Sequence, residues 1–308
     1  MRFTIYQESR QGGRSNNEDR TTYCYSREAL LMVVADGMGG HHYGEIAAQI
    51  AVQTLADNFQ REARPTLVDP FRFLQKGMTN AHHAILDFAE RHKLSDTPRT
   101  TCVACLVQDN VAYWAHAGDS RLFLMRGGKV VAQTRDHSRI RILIEEGLLS
   151  EARAATHPDR NKIYSCLGSP TPPEIEFSRK TPLNHGDILL LCTDGLWGEI
   201  HGNAMAQALK GSNIVHTVPM LLSQAEAKGG QHVDNLSVVA VRWEETYLDE
   251  ASSSISTQTM ALDEIATHIE EFGRDPAHKT DLSESEIEQA IEEIRAAIDK
   301  FNPKKQGQ

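Results

Sequence analysis

Four aspartates carry the chemistry this chain can be read for. Asp36, Asp119, Asp194 and Asp234 each stand beside Gly or Asn at the edge of an apolar run. Leu31-Met32-Val33-Val34-Ala35 leads into Asp36-Gly37, and the run 188–192 passes through Thr193 into Asp194-Gly195. Gly118-Asp119-Ser120 separates two apolar runs, and Asp234-Asn235 precedes a third. One such dipeptide alone is an ordinary hairpin signal. The set says more, because in an antiparallel sheet one strand ends where its neighbour begins, so four carboxylates can meet at one rim. Clustered carboxylates raise one another's pKa unless a cation neutralises them. Oxygen-rich clusters suit hard divalent ions such as Mg²⁺ and Mn²⁺. The pattern reads first as a dinuclear metal site.

A second constellation follows the first expected strand: Arg14-Ser15-Asn16-Asn17-Glu18-Asp19. Beside a carboxylate rim, Arg14 offers a forked cation matched to phosphate oxygens. Glu18 and Asp19 could orient water around the ions.

The elements that must position these residues alternate between short-loop strand runs and helix pairs. Strands are expected at 3–7, 30–35, 102–108, 111–116, 121–126, 129–134, 188–192 and 236–243, with Gly127-Gly128 as a two-residue hairpin. Helical spacing of apolar residues marks 44–61 and 70–93, with shorter helices near 138–146, 203–209 and 214–227. That order favours an antiparallel α+β layered fold over a parallel βαβ one. The stretch 151–181, rich in Pro, Arg, Asn and Ser, reads as a long surface excursion.

Residues 1–246 read as one domain, 247–259 as a Ser/Thr-rich linker and 260–308 as an acidic amphipathic helical tail. Leu262, Ile265, Ile269 and Phe272 mark a short helix, and a second is expected from Ser283, whose capping box is completed by Glu286. Of the net charge of −10, the residues from 249 onward carry 14 acidic and 6 basic groups, or −8. The tail could pack on the main domain, bind a partner or mediate self-association. The remainder shows no Lys/Arg run, which argues against nucleic acid and against a two-metal nuclease. No apolar run reaches the ~20 residues of a membrane span. The first residues lack a signal peptide's apolar core, so a cytoplasmic location is expected. The five cysteines form no dense framework; Cys102 and Cys105 fall on opposite faces of one expected strand and read as structural thiols.

Taken in order, Arg14-x-x-Asn17-Glu18-Asp19, Asp36-Gly37-Met38-Gly39-Gly40-His41 with Gly44-Glu45, Gly118-Asp119-Ser120-Arg121, Asp136-His137-Ser138, His157-Pro158, Cys192-Thr193-Asp194-Gly195 and Asp234-Asn235 resemble the metal-dependent protein phosphatases of the PPM, or type 2C, family, and most of all its bacterial branch. The resemblance implies a four-layer αββα sandwich of two antiparallel sheets flanked by helix pairs. It implies hydrolysis of phosphoserine and phosphothreonine in proteins, with a Ser/Thr kinase as counterpart. Two tightly bound Mn²⁺ or Mg²⁺ ions are implied, with a third, weaker one. By position, Asp36 would bridge the pair, Gly37 would lend its carbonyl, and Asp194 and Asp234 would complete the set. Asp119 and Asp194 would hold the third ion. Arg14 would take the substrate phosphate and Asp19 would hold metal-bound water; Glu18 and Asn235 would support them from behind.

Three positions depart from the family pattern. Met38 stands where eukaryotic relatives often carry His, so either His41 or a metal-bound water is expected to protonate the leaving group. Arg99 replaces the usual Gly before Thr100-Thr101, and Ser237 replaces Thr. His82 and His83 sit on an expected helix and point about 100° apart, so they read as satisfied or surface histidines. His137 reads as a turn and helix-start residue. Arg153, Arg160 and Lys162, in a region that forms a flap in bacterial relatives, are expected to influence substrate choice. A phosphatase-like scaffold that recruits a partner through its tail is the alternative function.

Overall fold

The computed structural model describes residues 1–38, 43–150, 153, 157–159, 162–244, 256–259 and 267–272. Two antiparallel sheets lie at its centre. In the first, strand β1 (Arg2–Arg10) pairs with β11 (Leu236–Glu244), which pairs with β10 (Ile188–Cys192), then β6 (Arg121–Arg126) and β7 (Lys129–Gln133). In the second, β2 (Arg20–Tyr25), β3 (Ala29–Ala35), β4 (Cys102–Gln108) and β5 (Val111–Ala117) pair in sequence order, with β8 (Glu176–Phe177) and β9 (Thr181–Pro182) both on β5. The Gly127-Gly128 hairpin is present: both glycines have positive φ, and Arg126 pairs with Lys129.

Near-continuous apolar strands need cover on both faces, and the sequence supplies it. Phe3, Ile5, Met32, Val34, Leu124, Leu189, Val239 and Trp243 fill the seam between the sheets. Helices α1 (Gly44–Glu62) and α2 (Pro70–Arg91) bury Val52, Leu55, Phe59 and Leu74 against the second sheet. On the first sheet lie α4 (Asp194–Trp197), α5 (Gly202–Leu209) and α6 (Ile214–Gly229), burying Leu196, Met205 and Leu222. The four expected layers are therefore present. Each fully buried Leu, Ile, Val or Phe contributes roughly 1.5–3 kcal/mol, so these cores can carry a destabilising polar cluster at the rim. Helix α3 (Arg139–Glu145) opens the surface excursion and is capped by Ser138, whose hydroxyl accepts from Arg141 N–H.

Cys102 belongs to the outer core and Cys105 to the seam, on opposite faces of β4. All five cysteines are buried and stand outside any disulfide, and burial pushes the Cys102 thiol up to about 12. Strand β2 was not foreseen; its polar Arg-Thr-Thr start masks a run that is buried throughout except at Tyr25.

The tail corrects one expectation. The stretch expected to be a helix through Ile269 and Phe272 is, over Thr267–Phe272, a strand (β13) antiparallel to β1, with Phe3 opposite Phe272. The outer edge of β1 offers unpaired backbone groups, and ladder hydrogen bonds there outweigh a weak helical preference in a segment with β-branched Thr267 and Ile269. Within the expected linker, Ser256–Thr259 (β12) pairs with β2 in the same way. The helix expected from Ser283 lies outside the described residues. Among the described residues, no helix is long and apolar enough to cross a membrane.

Candidate metal centre

The strand registers bring the acidic residues to one rim. Ala35 lies opposite Arg20, Cys102 opposite Ala117, Cys192 opposite Arg121, and Arg10 opposite Leu236. The residues just beyond these positions are Asp19, Asp36, Asp119, Asp194 and Asp234. All but the buried Asp19 line one cavity of about 200 Å³, together with Arg14 and Glu18.

Neighbouring hydroxyls and amides fix each ligand-bearing turn. Asp36 N–H donates to Thr101 Oγ1 at 3.0 Å, and the Asp36 carbonyl accepts from Thr100 Oγ1 at 2.8 Å and from Thr101 N–H at 2.9 Å. Gly37 N–H donates to the Glu18 carbonyl at 3.2 Å. A Cβ at Gly37 would stand 2.5 Å from the backbone of Gly44 and 2.7 Å from the Glu18 carbonyl, so only glycine fits this turn. Asp19 is held by Thr193, whose hydroxyl donates to Asp19 Oδ2 at 2.8 Å. Asn235 ties down the Arg14 loop, accepting from Glu18 N–H at 2.9 Å and donating to the Gln11 and Asn16 carbonyls at 2.8 and 2.9 Å.

The electrostatics are those of an uncompensated acidic cluster. Asp36 is pushed well above the usual carboxylate range, first by burial and then by Asp19, Asp194, Asp119 and Asp234. Asp119 is pushed up by burial and by Asp194. Burial likewise raises Asp19 to about 7 and, with Asp234, raises Asp194 to about 7. Among the described residues, Arg14 is the cation lining the cavity; its guanidinium donates to Asp234 Oδ2 at 2.5 Å, and this bond raises its own pKa. One guanidinium cannot neutralise five carboxylates. Among the described residues, the buried oxygens Asp19 Oδ1, Asp194 Oδ1 and Glu18 Oε2 have no hydrogen-bond partner. Orphaned oxygens around a small cavity fit hard divalent ions.

The structure thus brings together Arg14, Glu18, Asp19, Asp36, Gly37, Asp119, Asp194, Asp234 and Asn235. His41 lies outside the described residues, as does Arg160. Arg153 is exposed, and Lys162 pairs with Asp159 at 2.7 Å. Met38 lines the cavity, and its N–H donates to the Arg99 carbonyl at 3.0 Å. His82 is buried and accepts from Gly168 N–H at 3.1 Å, while His83 is exposed. His137 N–H donates to the Gly118 carbonyl at 3.0 Å, so it braces the Asp119 turn. Sequence reasoning gave no role to Thr100, Thr101 or Thr193, or to Ile163, which the excursion sends into the cavity. The one signal for the threonines was their position beside ligand-bearing turns.

This rim of carboxylates on two stacked sheets agrees with what comparison with known proteins finds. A family model described as protein phosphatase 2C matches residues 7–233. The chain belongs to that family. The serine/threonine phosphatase stp of Listeria innocua is 30% identical over 231 residues, covering 74% of this chain and 90% of the relative. The crystal structure of the Streptococcus agalactiae serine/threonine phosphatase superposes with a TM-score of 0.72 at 28% identity, covering 79% of this chain and all of the other (100%). The catalytic domain of the phosphatase PstP, solved in complex with two manganese ions, superposes with a TM-score of 0.65 at 28% identity, covering 79% of this chain and 100% of that one. This protein phosphatase 2C family member is accordingly a serine/threonine protein phosphatase.

Proposed function

We propose that the cavity hydrolyses phosphoserine and phosphothreonine in proteins with two Mn²⁺ or Mg²⁺ ions held by Asp36, the Gly37 carbonyl, Asp194 and Asp234, and a weaker third ion held by Asp119 and Asp194. The observation that carries this reading is the convergence, among the described residues, of the carboxylates of Glu18, Asp36, Asp119, Asp194 and Asp234 with the Arg14 guanidinium on one small cavity, and of the buried Asp19 beside it. When bound, the ions supply the positive charge that acidifies the attacking water and draws charge from the phosphoryl oxygens.

The chain's own residues do the rest. Arg14 stands at the cavity mouth with its side chain 52% exposed, so it can leave Asp234 for a phosphoryl group once the ions hold that carboxylate. Asp19, its Oδ2 fixed by Thr193, keeps Oδ1 free to orient the attacking water. Glu18 and Asn235 hold the loop that carries Arg14. His41 is the proposed general acid; His41→Ala would slow an alkyl phosphate more than an activated aryl one. Thiol nucleophiles are not part of the proposal, because burial pushes the Cys102, Cys105, Cys166 and Cys192 thiols up, far from ionisation at neutral pH.

A Ser/Thr kinase is the proposed counterpart and the cytoplasm the proposed location, with which five cysteines outside any disulfide agree. The tail beyond the described residues is open to partner binding or self-association. A scaffold without chemistry has no need for a complete acidic set. The test is hydrolysis of p-nitrophenyl phosphate and of a phosphothreonine peptide. EDTA should abolish both and Mn²⁺ restore both; activity indifferent to chelation defeats the reading.

A further inference from the structure

Away from the carboxylate cavity, two imidazoles and a carboxylate form a second cluster of donor atoms. His116 near the end of β5, His137 just before α3 and Glu176 in β8 each bring one donor atom within 4.8 Å of the others. The two histidines are 2% and 1% exposed, whereas the Glu176 side chain is 40% exposed and opens the cluster to solvent. The imidazoles lie against each other, centroids 4.7 Å apart at 27°.

Hydrogen bonds decide which nitrogens are available. His116 Nε2 lies 2.6 Å from the Arg135 carbonyl, which can only accept, so Nε2 carries the proton and Nδ1 a lone pair. Among the described residues, that buried Nδ1 has no partner. His137 Nδ1 accepts from Gly118 N–H at 3.3 Å, and its buried Nε2 has no hydrogen-bond partner among the described residues, with Glu176 Oε2 at 3.7 Å. Buried polar nitrogens are normally satisfied; two on adjoining rings, beside the same carboxylate, call for a common occupant. Burial keeps both rings neutral near pH 7, with His137 lowered to about 4.

We propose that His116 Nδ1, His137 Nε2 and Glu176 bind one zinc-type divalent ion, with water as fourth ligand, separate from the catalytic ions. Two imidazoles, a carboxylate and an open position form a zinc donor set, whereas Mg²⁺ prefers oxygen alone, so the two sites sort ions by chemistry. The carbonyl on the far nitrogen of His116 is the kind of partner that orients a ligating histidine. Bonds of about 2.0–2.2 Å place tetrahedral donors roughly 3.5 Å apart; His137 Nε2 and Glu176 Oε2, at 3.7 Å, are already close to that spacing, and no pair exceeds 4.8 Å.

The ion also acts on the neighbouring turn. His137 can ligate through Nε2 only if its proton moves to Nδ1, where it meets Gly118 N–H instead of accepting from it. Occupancy therefore opposes the contact that braces the turn before Asp119. Zinc here should inhibit the phosphatase, a link that rests on the role proposed for Asp119, while the ion site itself does not.

The test uses the full chain saturated with Mg²⁺ and titrated with Co²⁺. Tetrahedral, nitrogen-bound cobalt absorbs strongly in the visible; six-coordinate, oxygen-bound cobalt absorbs weakly. One equivalent of intense absorption, removed by Zn²⁺, is expected in the native chain. His116→Gln should abolish it and Glu176→Gln should weaken binding at least tenfold, with circular dichroism confirming that both fold. No intense band in the native chain, or the same band in both variants, overturns the site and leaves a water as the occupant. Under saturating Mg²⁺, zinc should inhibit the native chain more strongly than Glu176→Gln. Equal inhibition with the band intact overturns the link to the Asp119 turn. The cobalt readout does not depend on catalysis, so loss of the phosphatase reading would leave it interpretable.

Discussion

Asn235 accepts a hydrogen bond from the backbone of Glu18 at 2.9 Å, across a separation of 217 residues. Its amide nitrogen donates to two further carbonyls of the same loop, so one buried side chain sets where Arg14 stands. Asn235→Ala leaves buried backbone groups unpaired, at a cost of about 1–3 kcal/mol each. We expect a lower melting temperature and, because Arg14 is no longer positioned, a fall in kcat/KM of roughly 10- to 100-fold, read in parallel by calorimetry and by peptide hydrolysis.

Arg14 is half exposed and its loop is held by other residues, so Arg14→Ala should fold normally. The loss belongs to catalysis: removing a donor aimed at developing charge costs about 10²–10³ in rate. Arg14→Lys should recover only part of it, because an ammonium cannot reproduce the forked geometry. Inhibition by inorganic phosphate should weaken in both variants.

Chelation should change how stability responds to pH. In the metal-free protein Asp19 and Asp194 titrate near 7 instead of near the ordinary carboxylate value. The folded state then binds more protons than the unfolded one between about pH 4 and 7, so these groups lose stability for it as pH rises through that window. Divalent ions prefer the ionised carboxylates and reverse the trend. The gain in melting temperature on adding Mn²⁺ to EDTA-treated protein should therefore be larger at pH 7.5 than at pH 5.5. Lowered histidine pKa values act in both samples and largely cancel in the difference. A gain that shrinks with pH would count against the acidic cluster.

Asp36 feels the carboxylates of Asp19, Asp194, Asp119 and Asp234, so its replacement should separate stability from activity. Asp36→Asn removes the repulsion at its centre. The metal-free variant should melt higher than the native protein at pH 7.5 while its phosphatase activity falls at least 10³-fold. A variant that melts lower would overturn the view that carboxylate repulsion destabilises the metal-free protein.

Thr101 joins two ligand turns, accepting from Asp36 N–H and sharing a 2.6 Å hydrogen bond with Ser120 Oγ. Thr101→Val keeps the shape but leaves the Asp36 amide and the Ser120 hydroxyl unpaired. A loss of about 1–3 kcal/mol in denaturant unfolding, together with weaker Mn²⁺ affinity, is the expected result.

The acidic rim was legible in the chain because its logic is one of strand ends: Asp36, Asp119, Asp194 and Asp234 each terminate or precede an apolar run, and antiparallel pairing fixes the edge they share. The hydroxyls that hold them were not legible. Thr100, Thr101 and Thr193 look like ordinary strand-end residues until the register sets them against Asp36 and Asp19. Ile163 enters the cavity from a stretch without periodicity, which no spacing argument could place. The helix expected through Phe272 failed for a different reason. Its apolar spacing was real, but a six-residue segment is too short for helical hydrogen bonds to compete with an open strand edge.

Asp36 closes a strand of one sheet, whereas Asp194 and Asp234 flank strands of the other. Any ion they share is a staple across the sandwich, tying its two halves together at the end opposite their hairpins. Stripping that staple would let the halves part at one lip first. Limited proteolysis with and without chelator should accordingly find its earliest cuts in the loops around this lip, with the far end of the molecule still closed.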